Sequence, residues 1–413
     1  MHSGVAMSKP NLILSWPYVE WGGAQTYLLD IVRQASGFAF RAVLPADSSP
    51  TLLGYLADLE VECELLRARL DLSPARSLAR RLVRRARKVR AERVFGSRLE
   101  ALAGPSSLLH VDFAPWSSHR LLGRLARRTP TFVTLHTRLP AVSAARQRLW
   151  RSRLRRLVAL PHFHLLASSR DCRDSLRPFL ASAACERVPV AYPSFDVSAV
   201  PDLADGRARA ALCAQLCLPP DRLLVVVAAQ FIERKGCWTF LDAATRFAGR
   251  HPRPYFVWLG TADLPPAIAE RIVRSPAAAD FRYIPSRLSG TTRTEFLGAV
   301  AALADIFVLP SLIEGLPLAL GEAMALGKPV VATRINAVPE AVCDEENGLL
   351  VEPLDAPALA AAIERLAASP ELRQRLGCAA RTTIATRFGA RQTTDVTLAA
   401  YRAALPAAVD PLR

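Results

Sequence analysis

Short runs of apolar residues recur along the chain and alternate with longer segments that suit helices. In the first half these runs are NLILSW (11–16), FRAVLP (40–45), LLHVDF (108–113) and TFVTLH (131–136). In the second half they are LLVVVAAQ (223–230), YFVWLG (255–260), IFVLPS (306–311) and PVVATR (329–334). Strands that are apolar on both faces, separated by helix-length connections, are typical of parallel sheets covered by helices. The pattern therefore predicts an α/β protein with two doubly wound domains.

The chain has 413 residues, which is too long for one ordinary hydrophobic core. The segment YPSFDVSAVPDLADG (192–206) is rich in proline, serine and aspartate and suits a connection between domains. We therefore expect an N-terminal domain over residues 1–195, a linker over 196–206, a second domain over 207–386 and a C-terminal segment over 387–413.

Three loops follow predicted strands and lead into helices. Ligands of open α/β sheets bind beyond the carboxyl ends of the strands, so we expect a site in the cleft between two such sheets. The first loop, EWGGAQTYLLDIV (20–32), carries Gly22 and Gly23 just before a helix that starts near Ala24. Paired glycines let a backbone approach a ligand closely, and a helix N-terminus favours anions. An ordinary turn explains the same pair, and the pattern is not the GxGxxG dinucleotide fingerprint.

The second loop, AAQFIERKGCWTFLDAA (228–244), places Arg234 and Lys235 between a strand and a helix opened by Gly236. Two cations at such a junction suit a diphosphate, because they add to the positive end of the helix. A solvated loop with a chance basic pair is the alternative.

The third loop lies in EGLPLALGEAMALGKPVVA (314–332), where Glu322 is the only charged residue between Glu314 and Lys328. Burying a bare carboxylate costs several kcal/mol unless hydrogen-bond donors meet it. We expect a helix from near Pro317 to Leu326, capped by Gly327. Its first amides can meet phosphate or sugar oxygens, and Glu322 can accept hydrogen bonds from vicinal ribose hydroxyls. Pairing of Glu322 with a backbone amide or an arginine inside the protein is the alternative.

These loops together resemble the signature of retaining glycosyltransferases of family 4. The third loop is followed by NAVPEAV (336–342) and NGLLVEPLD (347–355), as in that family, and Glu314 and Glu322 meet its E-x7-E pattern. FHLLASSRDCRDSL (163–176) also resembles the last strand and helix of its N-terminal domain. The resemblance is dense over 224–355 and thinner elsewhere. It implies the GT-B fold: two Rossmann-like domains that face each other, with a C-terminal helix that crosses back to the first.

The resemblance also implies roles for individual residues. Lys235, with Arg234, would bind the diphosphate of a nucleotide-sugar donor, and the loop with Gly22 and Gly23 would approach it from the other domain. Glu314 would contact the donor sugar, Glu322 the ribose, and His136 would lie near the sugar and acceptor. The segment beside Glu314 would complete the donor site with its backbone; it comprises Gly315, Leu316, Pro317 and Leu318. Gln230 stands where the family usually has arginine, and a neutral amide cannot offset phosphate charge.

The sequence also favours some partners and classes over others. No Asp-x-Asp pair occurs, and the eight cysteines form no CxxC pair, so we expect no metal and no cofactor besides the donor substrate. We expect a metal-independent, hexosyltransferase-like enzyme acting on a glycan, lipid or small-molecule acceptor. A non-catalytic nucleotide-sugar-binding protein of the same fold is the alternative, because Gln230 replaces a cation. A Rossmann oxidoreductase lacks its glycine fingerprint here.

The positive charge of the chain is concentrated in its first half. Residues 1–200 hold 30 basic and 15 acidic residues, whereas 201–413 hold 23 and 22. Much of the excess lies in ARSLARRLVRRARKVRAERVF (75–95), where Leu78, Leu82, Ala86 and Val89 recur at helical spacing. Such a helix suits an anionic membrane surface, and a solvated helix packed on its own domain is the alternative. The residues expected at the membrane are Arg80, Arg81, Arg84, Arg85, Arg87 and Lys88.

We expect no nucleic-acid partner, because no helix-turn-helix, RNP or zinc pattern accompanies the charge. No apolar run is long enough to span a bilayer, and the N-terminus lacks the pattern of a signal peptide. The expected location is therefore cytoplasmic, with peripheral contact at the inner face of the membrane.

Overall fold

The computed structural model describes residues 9–19, 23–71, 77–198, 200, 206–249, 253–289 and 292–405. The chain divides into two compact units. Unit 1 comprises Met1–Ser194 and Ala390–Arg413, and unit 2 comprises Phe195–Gly389. Each unit is built on a six-stranded parallel sheet with helices on both faces, which confirms the predicted doubly wound α/β class.

Unit 1 contains a sheet of strand order β3-β2-β1-β4-β5-β6. The strands are β1 Asn11–Ser15, β2 Ala39–Pro45, β3 Glu62–Leu66, β4 Ser107–Val111, β5 Thr131–Leu135 and β6 Phe163–Ala167. The longer helices are α1 Gly23–Gln34, α2 Pro50–Asp58, α3 Leu78–Leu102, α4 His119–Leu125 and α5 Ala144–Val158. Two short helices follow, α6 Arg170–Asp174 and α7 Ser182–Glu186.

The two faces of the first sheet carry different helices because its strands are apolar on both sides. Ile13, Leu109 and Val133 share one hydrophobic cluster with residues of α3, α4 and α5. The alternate residues, such as Leu12 and Leu108, share another cluster with α1 and α2. This alternation is the period-2 geometry of a strand.

Unit 2 repeats the plan with strand order β12-β11-β10-β7-β8-β9. The strands are β7 Leu224–Ala228, β8 Tyr255–Leu259, β9 Phe281–Ile284, β10 Ile306–Leu309, β11 Val330–Thr333 and β12 Leu349–Val351. The helices before and beside the sheet are α8 Arg207–Leu216, α9 Cys237–Thr245, α10 Pro266–Val273, α11 Ser286–Ser289 and α12 Arg293–Leu303. The remaining helices are α13 Leu318–Ala325, α14 Val338–Ala341, α15 Ala356–Ala368 and α16 Pro370–Arg387.

The last helix, α17 Ala390–Ala404, belongs to unit 1. It packs along α1, where the Tyr27 hydroxyl and the Thr397 Oγ1 atom are 2.7 Å apart. Tyr401 is fully buried, and its hydroxyl hydrogen-bonds the Nδ1 atom of His110 in β4. The C-terminal segment was expected to start at 387, but α16 continues through Arg387 and the next helix begins at Ala390.

Among the described residues, no helix combines the length and the apolar character needed to cross a membrane.

Candidate active site

The second and third predicted loops follow two neighbouring strands of unit 2. β7 and β10 are parallel partners at the centre of the sheet, and the order of the strands reverses direction between them. In doubly wound folds this reversal opens a crevice at the carboxyl edge of the sheet, where ligands bind. The loops after β7 and β10 both lie at that edge.

The loop after β7 presents its two cations on a tight turn. Residues Glu233–Lys235 form one 3-10 turn, and Gly236, the N-cap residue of α9, has a left-handed backbone, φ 72°. The amide of Leu312 donates a 2.8 Å hydrogen bond to the Arg234 carbonyl, which ties this loop to the loop after β10. The backbone of this turn therefore fixes the point from which the Lys235 side chain extends.

Glu314 is the centre of the polar contacts at this edge. Its side chain is buried, with the residue 6% exposed, and Lys235 donates to its Oε1 atom at 2.6 Å. The Ser311 hydroxyl donates to the same atom at 2.7 Å. The backbone amide of Glu314 donates to the Asn336 side-chain oxygen at 3.1 Å. The carboxylate is thus held in one orientation from two loops.

The ion pair between Lys235 and Glu314 places a group that can bind phosphate beside a group that can bind hydroxyls. An ammonium attracts phosphate, and a carboxylate accepts hydrogen bonds from hydroxyls. Because the charged atoms are only 2.6 Å apart, a ligand hydroxyl at Glu314 places an adjacent phosphate at Lys235. A sugar joined directly to a phosphate has this arrangement of groups.

Gly236 gives a test of the loop geometry. A Cβ atom at this position would lie 1.8 Å from the Pro310 carbonyl oxygen, and the φ of 72° disfavours any L side chain. We expect Gly236→Ala to lower the free energy of unfolding by about 3 kcal/mol, measured by urea denaturation.

The matched control for that substitution is Gly298→Ala. Gly298 lies inside α12, and a Cβ atom there would meet nothing within 4 Å. We expect this variant to gain about 0.5–1 kcal/mol through helix propensity. Equal stability of the two variants would show that the tight approach of Gly236 to Pro310 does not constrain the loop.

The third loop leads into α13 as the sequence predicted. Pro317 is the N-cap residue, and the helix runs over Leu318–Ala325, with Leu326 as its C-cap and Gly327 in the left-handed region. Glu322 lies in the middle of α13 and is 6% exposed. It takes part in a hydrogen-bonding or electrostatic contact within the protein. Gly315, Leu316 and Pro317 are buried just before the helix, whereas Leu318 is half-buried.

Arg234 and Gln230 are less enclosed than Lys235. Arg234 donates to the Ile313 carbonyl at 3.2 Å, and its nearest nitrogen is 3.9 Å from the Glu314 Oε2 atom. Gln230 is exposed beyond the end of β7. Lys235 is therefore the cation that the structure holds directly at the carboxylate.

The first predicted loop and His136 belong to unit 1. Gly22 lies outside the described residues, and Gly23 is the exposed first residue of α1. His136 follows β5, and its ring packs edge-on against Tyr27 with centroids 5.3 Å apart. Burial lowers the pKa of His136 to about 4, so its imidazole is neutral near pH 7. A neutral imidazole can donate or accept one hydrogen bond, but it supplies no positive charge.

Asp112 is a candidate site residue that the sequence analysis did not select. It follows β4, beside β1 at the reversal of strand order in unit 1, and the Tyr18 hydroxyl donates a hydrogen bond to its Oδ2 atom. Burial raises the pKa of Asp112 to about 7. Its only signal in the sequence is a carboxylate that directly follows an apolar strand.

The raised pKa of Asp112 predicts a pH dependence of stability. From pH 4 to 7 the folded state keeps a proton that the unfolded state has lost, since the ordinary pKa is 3.8. The contribution of Asp112 to the free energy of unfolding therefore falls as the pH rises through this window. We expect Asp112→Asn to gain stability relative to the parent protein between pH 4.5 and pH 8, measured by urea denaturation at both values.

The control for Asp112 is Asp58→Asn, which changes an exposed carboxylate at the end of α2. Its stability relative to the parent protein should stay the same at the two pH values. A flat response of Asp112→Asn would mean that the folded state holds this carboxyl group as an ordinary solvated acid.

Ser311 and Asn336 are the other residues that the sequence analysis missed. They lie in IFVLPS (306–311) and NAVPEAV (336–342), where no charge or periodicity marks either residue. Asn336 adopts a left-handed backbone, φ 43°, which asparagine tolerates better than most residues. Both side chains act by orienting Glu314.

Comparison with known structures identifies the class of fold. A glycosyltransferase of Rickettsia africae matches 97% of this chain and 100% of its own with a TM-score of 0.73 at 15% identity. An Anabaena protein solved in complex with UDP-glucose matches 95% of this chain and 99% of its own with a TM-score of 0.70 at 16% identity. The two sheets and their flanking helices therefore have the GT-B fold.

A family model matches part of the sequence. Residues 221–369, which hold Lys235, Glu314 and Glu322, match the family model described as glycosyl transferases group 1. This match confirms the resemblance to glycosyltransferases over that part of the chain.

Two curated relatives show how far the similarity extends. An alpha-D-kanosaminyltransferase of Streptomyces kanamyceticus is 30% identical over 38% of this chain and 39% of its own length. A GDP-mannose-dependent alpha-(1-6)-phosphatidylinositol monomannoside mannosyltransferase of Mycolicibacterium smegmatis is 29% identical over 70% of this chain and 75% of its own. The chain thus matches about two fifths of the first relative's length.

Proposed function

We propose that the protein is a retaining glycosyltransferase of family 4. It transfers a hexose-type sugar from a nucleoside-diphosphate sugar to a hydroxyl of a glycan, lipid-linked or small-molecule acceptor. The observation that carries this proposal is the Lys235–Glu314 ion pair, held at 2.6 Å at the carboxyl edge of the second sheet. It offers a cation for a phosphate and a carboxylate for the attached sugar.

The proposed reaction breaks the bond between the anomeric carbon and the diphosphate oxygen. Negative charge builds on that oxygen, and it is stabilised by Lys235, by Arg234 and by the backbone amides of Gly315, Leu316 and Leu318. Preorganised stabilisation of this kind is usually the largest catalytic contribution. The acceptor hydroxyl attacks the same face of the sugar, and its proton passes to the leaving phosphate oxygen. The configuration at the anomeric carbon is therefore retained.

The other predicted residues orient the donor. Glu314 accepts hydrogen bonds from sugar hydroxyls and Glu322 from the ribose. His136, neutral near pH 7, hydrogen-bonds the sugar or the acceptor without adding charge. No step in this scheme uses a metal, since the diphosphate charge is met by side chains and backbone amides.

The names of the relatives support a sugar nucleotide but leave the nucleotide open. One relative is named for GDP-mannose, and the Anabaena structure contains UDP-glucose. A thermal-shift screen against nucleoside diphosphates and nucleotide sugars tests the proposal directly. We expect one nucleotide and its sugar to raise the melting temperature, and that donor then to be hydrolysed or transferred.

The same screen distinguishes the alternative, a non-catalytic nucleotide-sugar-binding protein, which the exposed neutral Gln230 favours. Stabilisation by a donor without hydrolysis or transfer to any acceptor in a broad panel would support that alternative. No stabilisation by any nucleotide would overturn both.

A further inference from the structure

The basic residues in the long helices of unit 1 lie mainly on one face of its sheet. The helices α3, α4 and α5 share one hydrophobic cluster, and α1, α2 and α17 share the cluster on the opposite face. The first three helices hold 17 basic and two acidic residues, whereas the second three hold three of each. Arginine-rich genome composition would not separate the two faces in this way. We call the surface of α3, α4 and α5 the basic face.

The basic face also exposes aliphatic side chains. The C-terminal half of α3 is anchored in the core by Ala91, Phe95 and Leu99. The N-terminal half is not, and Leu82 and Val89 are 61% and 41% exposed. These two residues line a shallow groove along α3 together with Arg85, Ala86, Arg90 and Arg93. An apolar stripe among arginines on a solvent-exposed helix is typical of interfacial membrane helices.

A second groove lies between α4 and α5, and all the ionisable residues in its lining are basic. Its volume is about 520 Å³, and its ionisable lining consists of His119, Arg120, Arg124, Arg127, Arg153 and Arg156. Glu100 pairs with Arg124, and Arg153 donates to the Trp116 carbonyl at 2.7 Å. No ion pair occupies Arg120, Arg127 or Arg156 within the described part of the chain. Three guanidinium groups are therefore available for phosphate oxygens, which they bind in bidentate geometry.

We propose that the basic face docks on an anionic membrane surface. Lipid phosphates occupy the α4–α5 groove, and Leu82 and Val89 enter the headgroup layer while the surrounding arginines stay at its surface. The charge complements the negative potential of an anionic leaflet. The basic face belongs to unit 1, whereas Lys235 and Glu314 belong to unit 2.

The exposed side chains favour a membrane over a nucleic acid. Single strands are bound by free aromatic rings that stack on bases. Trp150 of α5 and Trp116 stack on each other with centroids 5.0 Å apart, and Trp150 also packs on Phe179. Exposed leucine and valine contribute little to binding a phosphate backbone, but they partition into a headgroup layer.

The test is partition of the full chain onto phosphatidylcholine vesicles with and without phosphatidylglycerol, measured by co-sedimentation. We expect binding only to the anionic vesicles, weakened by salt. The variant Arg120→Gln/Arg127→Gln/Arg156→Gln should lower the partition coefficient about 100-fold, roughly fivefold for each arginine. The control Arg274→Gln/Arg282→Gln/Arg381→Gln removes the same charge from exposed positions in unit 2 and should bind as the parent does.

A second variant distinguishes insertion of the aliphatic side chains into the membrane from electrostatic attraction by the arginines. Leu82→Ser/Val89→Ser changes exposed residues, so folding is preserved, and it should reduce the binding that remains at high salt. Absence of binding to anionic vesicles, or parental binding by the triple groove variant, would overturn the proposal. So would a single-stranded RNA probe that stays bound at salt concentrations that release the vesicles. Nucleotide-induced stabilisation measured on every variant should be unchanged, which keeps this test separate from that of the proposed function.

Discussion

Replacing Lys235 with methionine is expected to lower kcat/KM for sugar transfer about 10²- to 10³-fold, the usual effect of removing one preorganised stabilising group. Lys235 is the cation held directly at Glu314, at 2.6 Å, and methionine keeps the length of the side chain without its charge. Without it, the charge that develops on the leaving diphosphate has only Arg234 and backbone amides to meet it. The measurement is steady-state transfer with the donor found by the thermal-shift screen.

The same substitution leaves a buried carboxylate without its cation. Lys235→Met should therefore also lower the free energy of unfolding, by about 1–3 kcal/mol. The double variant Lys235→Met/Glu314→Gln removes the stranded charge, so we expect it to recover stability but not transfer. This comparison separates loss of catalysis from loss of folding.

Arg234→Met is the matched control for Lys235. Arg234 is about half exposed, with its nearest nitrogen 3.9 Å from Glu314, so we expect less than about a tenfold loss of kcat/KM. If Lys235→Met transferred sugar at the parental rate, the ion pair would be a structural feature of the loops and the proposed donor site would be wrong.

The central strands of both sheets were predictable from the sequence, but most of the edge strands were not. The eight apolar runs chosen as strands correspond to β1, β2, β4, β5, β7, β8, β10 and β11. The strands that were not identified, β3, β9 and β12, all lie at the edge of a sheet. An edge strand is covered less completely than a central one, so it needs no continuous apolar run. β3 carries Glu62 and Glu64, and β12 is only three residues long.

In the candidate site, only the charged residues that follow the ends of strands were predictable from the sequence. Arg234, Lys235 and Glu314 are charged residues at strand-to-helix junctions, and a sequence shows such positions directly. Ser311 and Asn336 contact Glu314 through uncharged side chains, and Asn336 is 22 residues away in the chain. No periodicity or charge pattern marks such partners.

The basic helix α3 was also predictable from the sequence only in part. The sequence predicted an amphipathic helix within 75–95 and left a packed helix as the alternative. The C-terminal half of α3 is packed and its N-terminal half is exposed, and membrane contact stays a prediction. That α4 and α5 extend the same charged face depends on the order of the strands, which the sequence does not state.

Glu322 provides the second large expected effect. Glu322→Gln keeps the size of the side chain and one acceptor oxygen but removes the charge that favours two vicinal hydroxyl donors. Hydrogen bonds to charged groups are worth about 1.5–3 kcal/mol each, so we expect the donor KM to rise about 100-fold. The nucleotide-induced rise in melting temperature should be lost in parallel.

The stability of the ligand-free protein decides between the two explanations of this buried carboxylate. Glu322 is 6% exposed within α13 and already has a contact inside the protein. If Glu322 serves mainly to make this internal contact, Glu322→Gln should destabilise the free protein, and stabilisation by the donor should persist. If it holds the ribose, the free protein should be as stable as the parent, and the loss should appear only with nucleotide present. Ala325→Gln, which places the same side chain at a half-buried position of α13, is the control for a new amide in this helix. Differential scanning calorimetry with and without the nucleoside diphosphate measures the stability of the free protein and the stabilisation by the nucleotide.

Donor-induced stabilisation equal to that of the parent would remove Glu322 from the donor site.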